Sequence, residues 1–418
     1  MTKAIFFYEH INREFSMLEK LANAVQASLG YEVKIFSVIF EWKEALRYAR
    51  RNKVDLLLVP WLYGDWEYAL YYPFILMNPE TRIINLHHEQ ISSPASENRL
   101  MPKTLCSQNG CYHFAWGELF ANQLVSVGVD SKLIYNVGSM RIELMNKDDT
   151  HSSKEKLAKK FKLDLEKKWV LYAENRGGMI NLTTKDRVAS ERLGLSLQDV
   201  VWREELAVKS LKETMHQFEM LPQRFFDDFE LIYRPHPGTR ADYVDDKRIK
   251  VISEFALNDW FPAVDLIIVW GSTSAFEAER FGVPVIRHEA VPNSSHFRAY
   301  GIEKFPCVTN IADITLSNLE SFRKQQPKPP AYEVHYGKAD GRALARYVGA
   351  IKDIVKEPCY AYPEFIARNQ YRNVIRWKKA FEPIANLMVK THLVQTLKWP
   401  RTAYKVLQDH PKNIHSAG

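Results

Sequence analysis

The stretch VDLIIVWGSTSAFEAERFGVPVI, residues 264–286, contains a complete pattern of strand, turn, helix and strand. Its first part, VDLIIVW, is largely apolar and is followed by Gly271, as is typical of a strand buried on both faces. AFEAERFG then predicts a short helix that ends at Gly282, and VPVI begins the next strand. Buried strands that alternate with helices form parallel sheets covered on both faces. The stretch therefore predicts a parallel α/β sheet.

The same alternation of apolar runs and amphipathic segments extends along most of the chain. The strands predicted in the first half are residues 3–9, 31–40, 54–61, 82–89, 112–117 and 132–139. Those predicted in the second half are residues 168–175, 229–237, 248–254, 264–271 and 283–289. The predicted fold class is α/β, with two Rossmann-like, doubly wound parallel-sheet domains and a C-terminal helical segment.

A polar and highly charged segment, residues 146–168, separates the two sets of strands and is typical of an interdomain linker. We therefore expect an N-terminal domain at residues 1–145 and a C-terminal domain at residues 169–358. Residues 359–418 have no strand pattern and are expected to form a basic helical tail that packs back on the N-terminal domain.

Apolar residues recur at helical spacing within this tail, from Phe381 through Ile384, Leu387 and Met388 to Val394 and Leu397. The spacing predicts an amphipathic helix. Such a helix either packs on the body of the protein or lies on a membrane surface.

The basic charge of the chain is concentrated in the tail. The whole sequence has 57 lysines and arginines against 50 aspartates and glutamates, a net charge of +7. Residues 361–418 contain 10 of the basic and 3 of the acidic residues, so the remainder of the chain is balanced. A basic tail can bind an anionic membrane, an acidic glycan or a nucleic acid. Because it lacks an arginine-rich or aromatic-interleaved pattern, we expect no nucleic acid partner.

The sequence also indicates the compartment. No apolar run is long enough to span a bilayer, and the N-terminus lacks the features of a signal peptide. Cys106, Cys111, Cys307 and Cys359 are scattered, which predicts free thiols in a reducing compartment, with a Cys106–Cys111 disulfide as the alternative. We therefore expect a cytoplasmic protein that is either soluble or peripheral on the inner face of the cell membrane.

Three loops of the second half carry unusual residues. The first is the turn in the opening stretch, formed by Gly271, Ser272, Thr273 and Ser274. Small hydroxyl residues in a strand-to-helix turn cap the helix, and the free backbone amides at a helix N-terminus also bind phosphate. The turn is therefore either an ordinary helix cap or an anion site.

The second loop, RPHPG, follows the strand FELIY. Pro235 and Pro237 restrict their own φ angles and push Arg234 and His236 towards extended geometry. His236 is predicted to donate to a phosphate oxygen, and Arg234 to bind a second oxygen or to buttress the loop. A histidine packed inside a rigid turn is the structural alternative.

The third loop, ENRGG at residues 174–178, closes the first strand of the second half. Its glycines let the backbone approach a ligand, and Arg176 is predicted to pair with a phosphate, with a plain glycine turn as the alternative. In a doubly wound sheet all three loops emerge at the carboxyl edge, where ligands bind.

The motifs RPHPGT and GSTSAFEAERFGVPVI resemble the donor half of the GT-B glycosyltransferases that build bacterial surface and capsular polysaccharides. The similar groups have an HP motif and a serine motif: the capsule Kdo transferases, the bacterial sialyltransferases and the CDP-glycerol glycerophosphotransferases. Residues 114–143 are similar to the end of the first domain in capsule-synthesis members. The resemblance implies a nucleotide-sugar donor, and the second half has no DxD-type motif at a strand end, so we expect no obligatory metal or cofactor.

The resemblance also implies roles for individual residues. His236, Ser272, Thr273 and Ser274 contact the nucleotide phosphates, and Glu277 binds the ribose hydroxyls. The family often has adjacent serines where this chain has Ser-Thr-Ser, but threonine carries a hydroxyl as well. A solvated helix glutamate is the structural alternative for Glu277.

An inverting transferase needs a group that removes a proton from the acceptor hydroxyl, and the resemblance places this group in the first domain. The segment NLHHEQ, at the end of the fourth strand, offers Glu89, which we favour, and His88 as its rival. Arg99 and Lys103, in the following loop, are predicted to hold an acidic acceptor sugar. The further candidates for the base are His87, Glu9, His10, Asp65 and Glu67.

The function predicted from these features is transfer of a sugar from a nucleotide-sugar donor to a growing bacterial surface polysaccharide or glycolipid. Both a CMP-linked acid sugar and a UDP- or GDP-linked hexose fit as donors. The alternatives are a CDP-glycerol-type polyol-phosphate transferase and a nucleotide-sugar epimerase of related fold.

Overall fold

Two six-stranded sheets, each with only parallel strand pairs, carry the fold. The computed structural model describes residues 1–145, 153–184, 186–187, 190, 195–236, 243–357, 368–390 and 410–411. Unit 1 consists of Met1–Gln90, Leu100–Leu144 and Tyr336–Gly418, and unit 2 consists of Ile91–Arg99 and Met145–His335.

The strands of unit 1 are β1 (Lys3–Tyr8), β2 (Glu32–Ser37), β3 (Leu56–Val59), β4 (Arg82–Asn85), β5 (Tyr112–Ala115) and β6 (Ile134–Asn136), in the spatial order β2-β1-β3-β4-β5-β6. The strands of unit 2 are β7 (Lys168–Ala173), β8 (Phe229–Arg234), β9 (Lys250–Val251), β10 (Leu266–Val269), β11 (Val285–His288) and β12 (Cys307–Val308), in the order β12-β11-β10-β7-β8-β9.

The α-helices, in chain order, are α1 (Ser16–Leu29), α2 (Trp42–Arg51), α3 (Asp65–Met77), α4 (Leu105–Asn109), α5 (Glu118–Ser126), α6 (Met140–Leu144), α7 (Lys154–Phe161), α8 (Leu197–Glu219), α9 (Gln223–Asp228), α10 (Ser274–Arg280), α11 (Leu316–Lys324), α12 (Glu333–Tyr336), α13 (Ala343–Lys356) and α14 (Arg368–Lys390). Short 3₁₀ and π turns precede or connect several of them. The predicted fold class, two Rossmann-like α/β sheets in one chain, is confirmed.

Each predicted strand is present but shorter than the apolar run that predicted it, because the residues at the run's carboxyl end form the loops of the sheet edge. β12 was not predicted, since it has only two residues. Cys106, Cys111 and Cys307 are free thiols, so the alternative disulfide between the first two is absent.

Side chains alternate along β1 so that both faces of the unit 1 sheet are buried. Phe6 packs in the core on one face, with α1 and α13, whereas Phe7 packs in the core on the other face, with α2 and α3. Both phenylalanines are completely buried. This two-sided burial explains why the run KAIFFY is continuously apolar instead of alternating.

Helix α13 lies in a different unit from the one expected. The predicted C-terminal domain extended to residue 358, but Tyr347, Ile351 and Ile354 of α13 belong to the unit 1 core and are at most 1% exposed. Residues 91–99, expected in the N-terminal domain, belong to unit 2. The chain thus crosses between the units more often than the composition break near residue 146 indicated.

Helix α14 packs on α3 within unit 1. The Trp66 and Trp377 rings are 5.2 Å apart, and Lys378 Nζ donates to the carbonyl of Ile39 at 2.7 Å. Glu382 accepts the backbone N–H of Lys43 at 3.1 Å. The residues predicted to form the helix beyond 390, including Val394 and Leu397, lie outside the described part of the chain.

One face of α14 remains open to solvent and is apolar. Trp377, Ile384 and Leu387 are 46%, 54% and 57% exposed. None of the described helices has the length and apolar character that crossing a bilayer would require.

Gly337 gives a test of the packing in unit 1. Its φ is +69°, and a Cβ atom at this position would lie 2.5 Å from the carbonyl oxygen of Trp116. Gly337→Ala should therefore lower the free energy of unfolding of unit 1 by about 2 kcal/mol or more, through strain and the clash with the backbone. Denaturant titration followed by far-UV circular dichroism measures the change.

The matched control for this variant is Gly349→Ala in α13. The residue is helical, and apart from the adjacent backbone of its own helix no atom of the described residues lies within 4 Å of the position a Cβ would take. This substitution should stabilise the protein by about 0.5–1 kcal/mol, because glycine is a poor helix former. Equal effects at the two glycines would contradict the packing described for Gly337.

Candidate functional site

The carboxyl edge of the unit 2 sheet contains a topological switch point. From β7 the chain proceeds through β8 to β9 on one side of the sheet, and β10, β11 and β12 then occupy the other side. Loops that leave adjacent strands in opposite directions at such a point form a crevice in which ligands bind. The loops at this crevice follow β7 and β10, and the loop after β8 is next to them.

The loop after β7 is built on a buried ion pair between Glu174 and Arg176. Both side chains are completely buried, and Nη2 of Arg176 lies 2.5 Å from Oε2 of Glu174. The other donors of the guanidinium bond to Glu174, Ser210, Thr214 and Tyr172 at 2.8–3.1 Å. Because all five N–H groups have acceptors inside the protein, the structure gives Arg176 the role of positioning the loop. The prediction that it pairs with a phosphate is not supported by this geometry.

The ion pair keeps Glu174 in its charged form. Burial alone would raise the pKa of the carboxyl, but the Arg176 charge and its hydrogen bonds, together with backbone amides, hold the pKa below the usual value. The pair therefore fixes the start of the loop, from which Gly177 and Gly178 follow.

A chain of hydrogen bonds runs from this ion pair to β11. Arg176 donates to the Tyr172 hydroxyl at 3.0 Å, and this hydroxyl lies 3.1 Å from Nδ1 of His288. Nε2 of His288 lies 3.0 Å from Oε1 of Gln217. The consistent assignment has Tyr172 donating to Nδ1 and the other ring nitrogen donating to Gln217, which requires a neutral imidazole.

The loop after β8 brings His236 to the loop after β7. A Cβ atom placed on Gly178 would lie 3.8 Å from Cε1 of His236, so the imidazole lies beside the glycine backbone. Arg234 donates to the carbonyl of Glu254 at 2.7 Å and to that of Phe255. Arg234 thus buttresses the loop, the second of the two roles predicted for it. Pro237 lies outside the described residues.

The turn after β10 holds its hydroxyl groups close together. Ser272 Oγ lies 2.7 Å from Ser274 Oγ and accepts the backbone N–H of Ser274 at 3.3 Å. Thr273 is exposed, and Glu277 is half-buried one turn into α10. Among the described residues no backbone carbonyl accepts the amides of Ser272 or Thr273. The turn therefore presents backbone donors at the crevice.

Asn293 is a residue at this edge that the sequence did not single out. Its side chain faces Gly271, since a Cβ on that glycine would lie 3.8 Å from Nδ2, and the residue is only 7% exposed. Within the described chain Oδ1 of Asn293 has no hydrogen-bond partner. The residue is held by Glu289, which accepts its backbone N–H at 3.3 Å and binds Arg298 at 2.6 Å.

The edge as a whole offers an imidazole, backbone amides, hydroxyls and one unsatisfied amide oxygen. These groups can bind the oxygens of a diphosphate and donors on a ribose or base. No cluster of three or more metal-ligating side chains occurs among the described residues.

The carboxyl edge of the unit 1 sheet is organised by Glu14, which the sequence did not reveal. Glu14 lies in a π-helical turn after β1 and is 1% exposed. Its carboxylate accepts the backbone N–H groups of Glu9 and His10 at 2.7 and 3.2 Å and binds Arg13 at 2.8 Å. Burial alone would raise the pKa of Glu14, but His88, Arg13 and the backbone donors lower it.

His88 lies against this carboxylate. Its Nε2 is 3.2 Å from Oε2 of Glu14, although the two groups are poorly aligned for a hydrogen bond. Burial lowers the pKa of His88 to about 4, against the attraction of Glu14. The imidazole is therefore neutral near pH 7 and can accept a proton, and the adjacent carboxylate would stabilise the resulting cation.

Glu89, the base that the sequence analysis favours, has a different environment from His88. Its side chain is 50% exposed, and Arg13 Nη1 lies 3.5 Å from its carboxylate. His87 is completely buried, with Nε2 2.8 Å from Nδ1 of His113 and a φ of +46°. Its ring is thus part of the interior of the unit.

The remaining base candidates are also at this edge. Glu9 accepts a hydrogen bond from the Trp61 indole at 2.8 Å and lies 3.8 Å from Nε2 of His10. Burial raises the pKa of Glu9 and of Glu67. Asp65 begins α3 and has one buried carboxylate oxygen without a hydrogen-bond partner among the described residues.

The two predicted acceptor-binding cations lie in different units. Arg99 belongs to unit 2, at the end of the segment that crosses over from unit 1. Lys103 belongs to unit 1, where it is exposed and its charge acts on Glu67.

No protein-family model and no curated protein sequence matches the chain. Solved structures do match. The S. aureus MnaA–UDP co-structure is 16% identical with a TM-score of 0.47, over 86% of this chain and 99% of that chain. The UDP-GlcNAc 2-epimerase from Methanocaldococcus jannaschii is 14% identical with a TM-score of 0.49, over 84% and 100%. A variant of the wall teichoic acid polymerase TagF with CDPG is 13% identical with a TM-score of 0.47, over 85% and 89%.

The buried His288 predicts a loss of stability in acid. Burial lowers its pKa from 6.5 to about 3. Between these pH values the unfolded chain binds a proton at this residue and the folded chain does not, so stability falls as the pH falls from 6.5 towards 3. The contribution is about 1.4 kcal/mol per pH unit, or roughly 2 kcal/mol between pH 6.5 and 5. Urea unfolding at the two pH values measures it.

The variant His288→Gln has no titrating group at this position. Its free energy of unfolding should therefore fall by about 2 kcal/mol less than that of the wild type between pH 6.5 and 5. His216→Gln is the control, because it makes the same replacement at a side chain that is 63% exposed. An unchanged pH dependence in His288→Gln would show that His288 is not the neutral link between Tyr172 and Gln217.

Proposed function

We propose that the chain is a glycosyltransferase that uses a nucleotide-sugar donor and adds the sugar to a growing bacterial surface polysaccharide or glycolipid. The observation that carries the proposal is the convergence of three loops at the switch point of the unit 2 sheet. His236 lies beside Gly178, and the Ser272–Ser274 turn follows the strand adjacent to β7. The nucleotide diphosphate or monophosphate would bind here.

Each group at this edge has a role in the proposal. The His236 imidazole and the amides of the Ser272–Thr273 turn would stabilise the phosphate oxygens of the leaving group, which needs no metal ion when such donors are preorganised. The Asn293 amide oxygen and the Glu277 carboxylate would accept hydrogen bonds from ribose or base. The Glu174–Arg176 pair would hold the loop and make no contact with the nucleotide.

Unit 1 would supply the proton acceptor, and its geometry favours His88. Glu14 is fixed by two backbone donors and by Arg13, so its carboxylate can orient His88 and stabilise the imidazolium formed during transfer. Glu89 has a half-exposed side chain, and its contact with Arg13 is longer, at 3.5 Å. The proposal therefore assigns the base to His88 with Glu14 as its positioning residue.

The proposal includes a location at the inner face of the cell membrane. The open face of α14 presents Trp377, Ile384 and Leu387, and Arg372 and Arg376 are exposed on the same helix. Apolar and basic side chains in this arrangement are typical of helices that lie on anionic lipid surfaces.

The donor site can be tested by calorimetric titration with CMP, CDP, UDP and GDP. One nucleotide is expected to bind clearly more tightly than the others, and His236→Ala should weaken it at least tenfold through loss of a charge-assisted or neutral hydrogen bond to phosphate. The identity of that nucleotide also distinguishes a CMP-linked acid sugar from a UDP- or GDP-linked hexose as donor.

His216→Ala serves as the matched control, since this histidine is exposed on α8 and distant in sequence from the three loops. It should bind the nucleotide as the wild type does. Binding that survives in His236→Ala, or that is absent for every nucleotide, would overturn the donor site.

The base is tested by the rates of three variants. His88→Gln should lower kcat at least a hundredfold with the nucleotide affinity unchanged, because general-base assistance is lost. Glu14→Gln should lower kcat and move the lower limb of the pH–rate profile to more acidic pH, because the attraction that raises the pKa of His88 is removed. Glu89→Gln should stay within a few-fold of the wild type. Nucleotide release in the presence of a glycan acceptor measures the rates.

A large loss in Glu89→Gln combined with a near-normal rate in His88→Gln would reverse the assignment. In that case the exposed carboxylate would be the base and the buried histidine would be structural.

A further inference from the structure

Two arginines of unit 2, Arg99 and Arg203, have guanidinium groups that find no partner in the part of the chain that the structure describes. Arg99 ends the segment 91–99, and Arg203 lies in α8. The Nε atoms of both are buried and lack a hydrogen-bond partner, and neither side chain forms a hydrogen bond or ion pair with any described residue. Ala95, four residues before Arg99, lines the same cavity as Arg203, and the Arg99 charge acts on Arg203.

The segment and the helix are connected through His296. The Ala95 backbone donates to the carbonyl of His296 at 2.9 Å, and Nε2 of His296 lies 3.0 Å from Oδ1 of Asp199. The Trp202 ring packs 4.9 Å from that of Phe297. The segment that carries Arg99 and the helix that carries Arg203 are therefore held together by contacts that do not involve the two guanidinium groups.

Two carboxylates of the helix that carries Arg203, those of Asp199 and Glu204, already have partners. Asp199 is bound to His296, and Glu204 accepts from Arg187 at 2.8 Å and from the Leu182 backbone at 2.9 Å. Both arginines are partly exposed, but their buried Nε atoms have lost water without gaining an acceptor, which is unfavourable, and a second cation nearby adds repulsion. Burial and the Arg99 charge together lower the pKa of Arg203. Among the described residues, no carboxylate pairs with either guanidinium.

A cavity of about 110 Å³ adjoins Arg203. Gly178 lines it as well, which is the glycine beside His236. The cavity therefore borders the loop to which the nucleotide phosphates are assigned. Its walls also include Asp199 and Glu204, whose carboxylates have the partners given above, whereas Arg99 lies outside its lining. Its volume is that of a few water molecules, at roughly 30 Å³ each, so it accommodates a small polar group.

We infer that Arg99 and Arg203 bind an oxyanion of the substrate, and we assign it to the carboxylate of an acid sugar carried by the donor. Guanidinium groups bind carboxylates in a planar, bidentate manner, and the phosphates already have donors at the neighbouring loops. The assignment of the carboxylate to the donor rests on the proposed nucleotide site. The anion site itself does not, because it is argued from two guanidinium groups that have no partner among the described residues.

The test measures binding of three probes, glucuronate, glucose and inorganic phosphate, by thermal shift and calorimetry on the full chain. The wild type should bind glucuronate more tightly than phosphate and should not bind glucose. Arg203→Met and Arg99→Met should each weaken glucuronate binding at least tenfold, and Arg203→Lys should lie between Arg203→Met and the wild type, because it keeps the charge but loses the fork. Arg224→Met, at an exposed arginine of the same unit, should bind as the wild type does.

A second readout excludes a purely structural role. Without any probe, Arg203→Met should be at least as stable as the wild type, because a desolvated and unpaired charge has been removed. A clear loss of melting temperature in this variant would show that Arg203 has a structural partner and would overturn the anion site.

Two pairs of nucleotide ligands test whether the anion site and the nucleotide site act together. The first pair is UDP-glucuronate and UDP-glucose, and the second is CMP-N-acetylneuraminate and CMP. Within the pair that the protein binds, the ligand with the acid sugar should bind at least tenfold more tightly than the ligand without it. Arg203→Met should abolish this preference. Preference for phosphate over glucuronate would overturn the carboxylate assignment. Glucuronate binding that survives in His236→Ala, in a protein that binds no nucleotide, would support the anion site and contradict the proposed donor function.

Discussion

The buried ion pair of Glu174 and Arg176 is the interaction on which the unit 2 edge depends. Moving two charges into the interior costs several kcal/mol for each ion, and their mutual attraction compensates only when every remaining donor and acceptor is satisfied. Here all five guanidinium N–H groups have acceptors, supplied by Tyr172 of β7, by Glu174 directly after this strand and by helix α8. The pair thus fixes the loop after β7 relative to the strand and the helix at the same time.

The ion pair also affects the other side of the sheet, because the Tyr172 hydroxyl connects Arg176 to His288 by a chain of hydrogen bonds. That histidine stays neutral in this environment and passes the chain to Gln217, whose side-chain oxygen also accepts the backbone N–H of Ile311. Removing one partner of a buried pair typically costs about 3–5 kcal/mol, since the other charge is left uncompensated. The edge at which the ligand loops emerge is therefore rigid before any ligand binds, which reduces the entropy that binding has to overcome.

Much of the fold could be predicted from the sequence, because continuous apolar runs such as KAIFFY and VDLIIVW are required by strands buried on both faces. The loops after these strands could be located for the same reason. The role of Arg176 could not be predicted from the sequence. An arginine beside two glycines is compatible with donors that bind a phosphate and equally with donors that bind a carboxylate two residues away. Glu14 and Arg203 could not be identified either, because nothing in their local sequence marks them. Only the tertiary contacts show that the Glu14 carboxylate is fixed by three donors and that Arg203 has no acceptor among the described residues.

The contribution of α13 to the unit 1 core determines when that unit can fold. Tyr347, Ile351 and Ile354 cover one face of a sheet whose first strand begins at Lys3. During synthesis this face of the N-terminal strands therefore stays exposed to solvent until the chain beyond residue 354 has left the ribosome. The sheet of unit 2 needs no residue after 335, so it can be complete earlier. Although unit 1 contains the N-terminus, it is the last part of the protein to become stable, and a truncation before α13 would expose the aromatic interior of its sheet to aggregation.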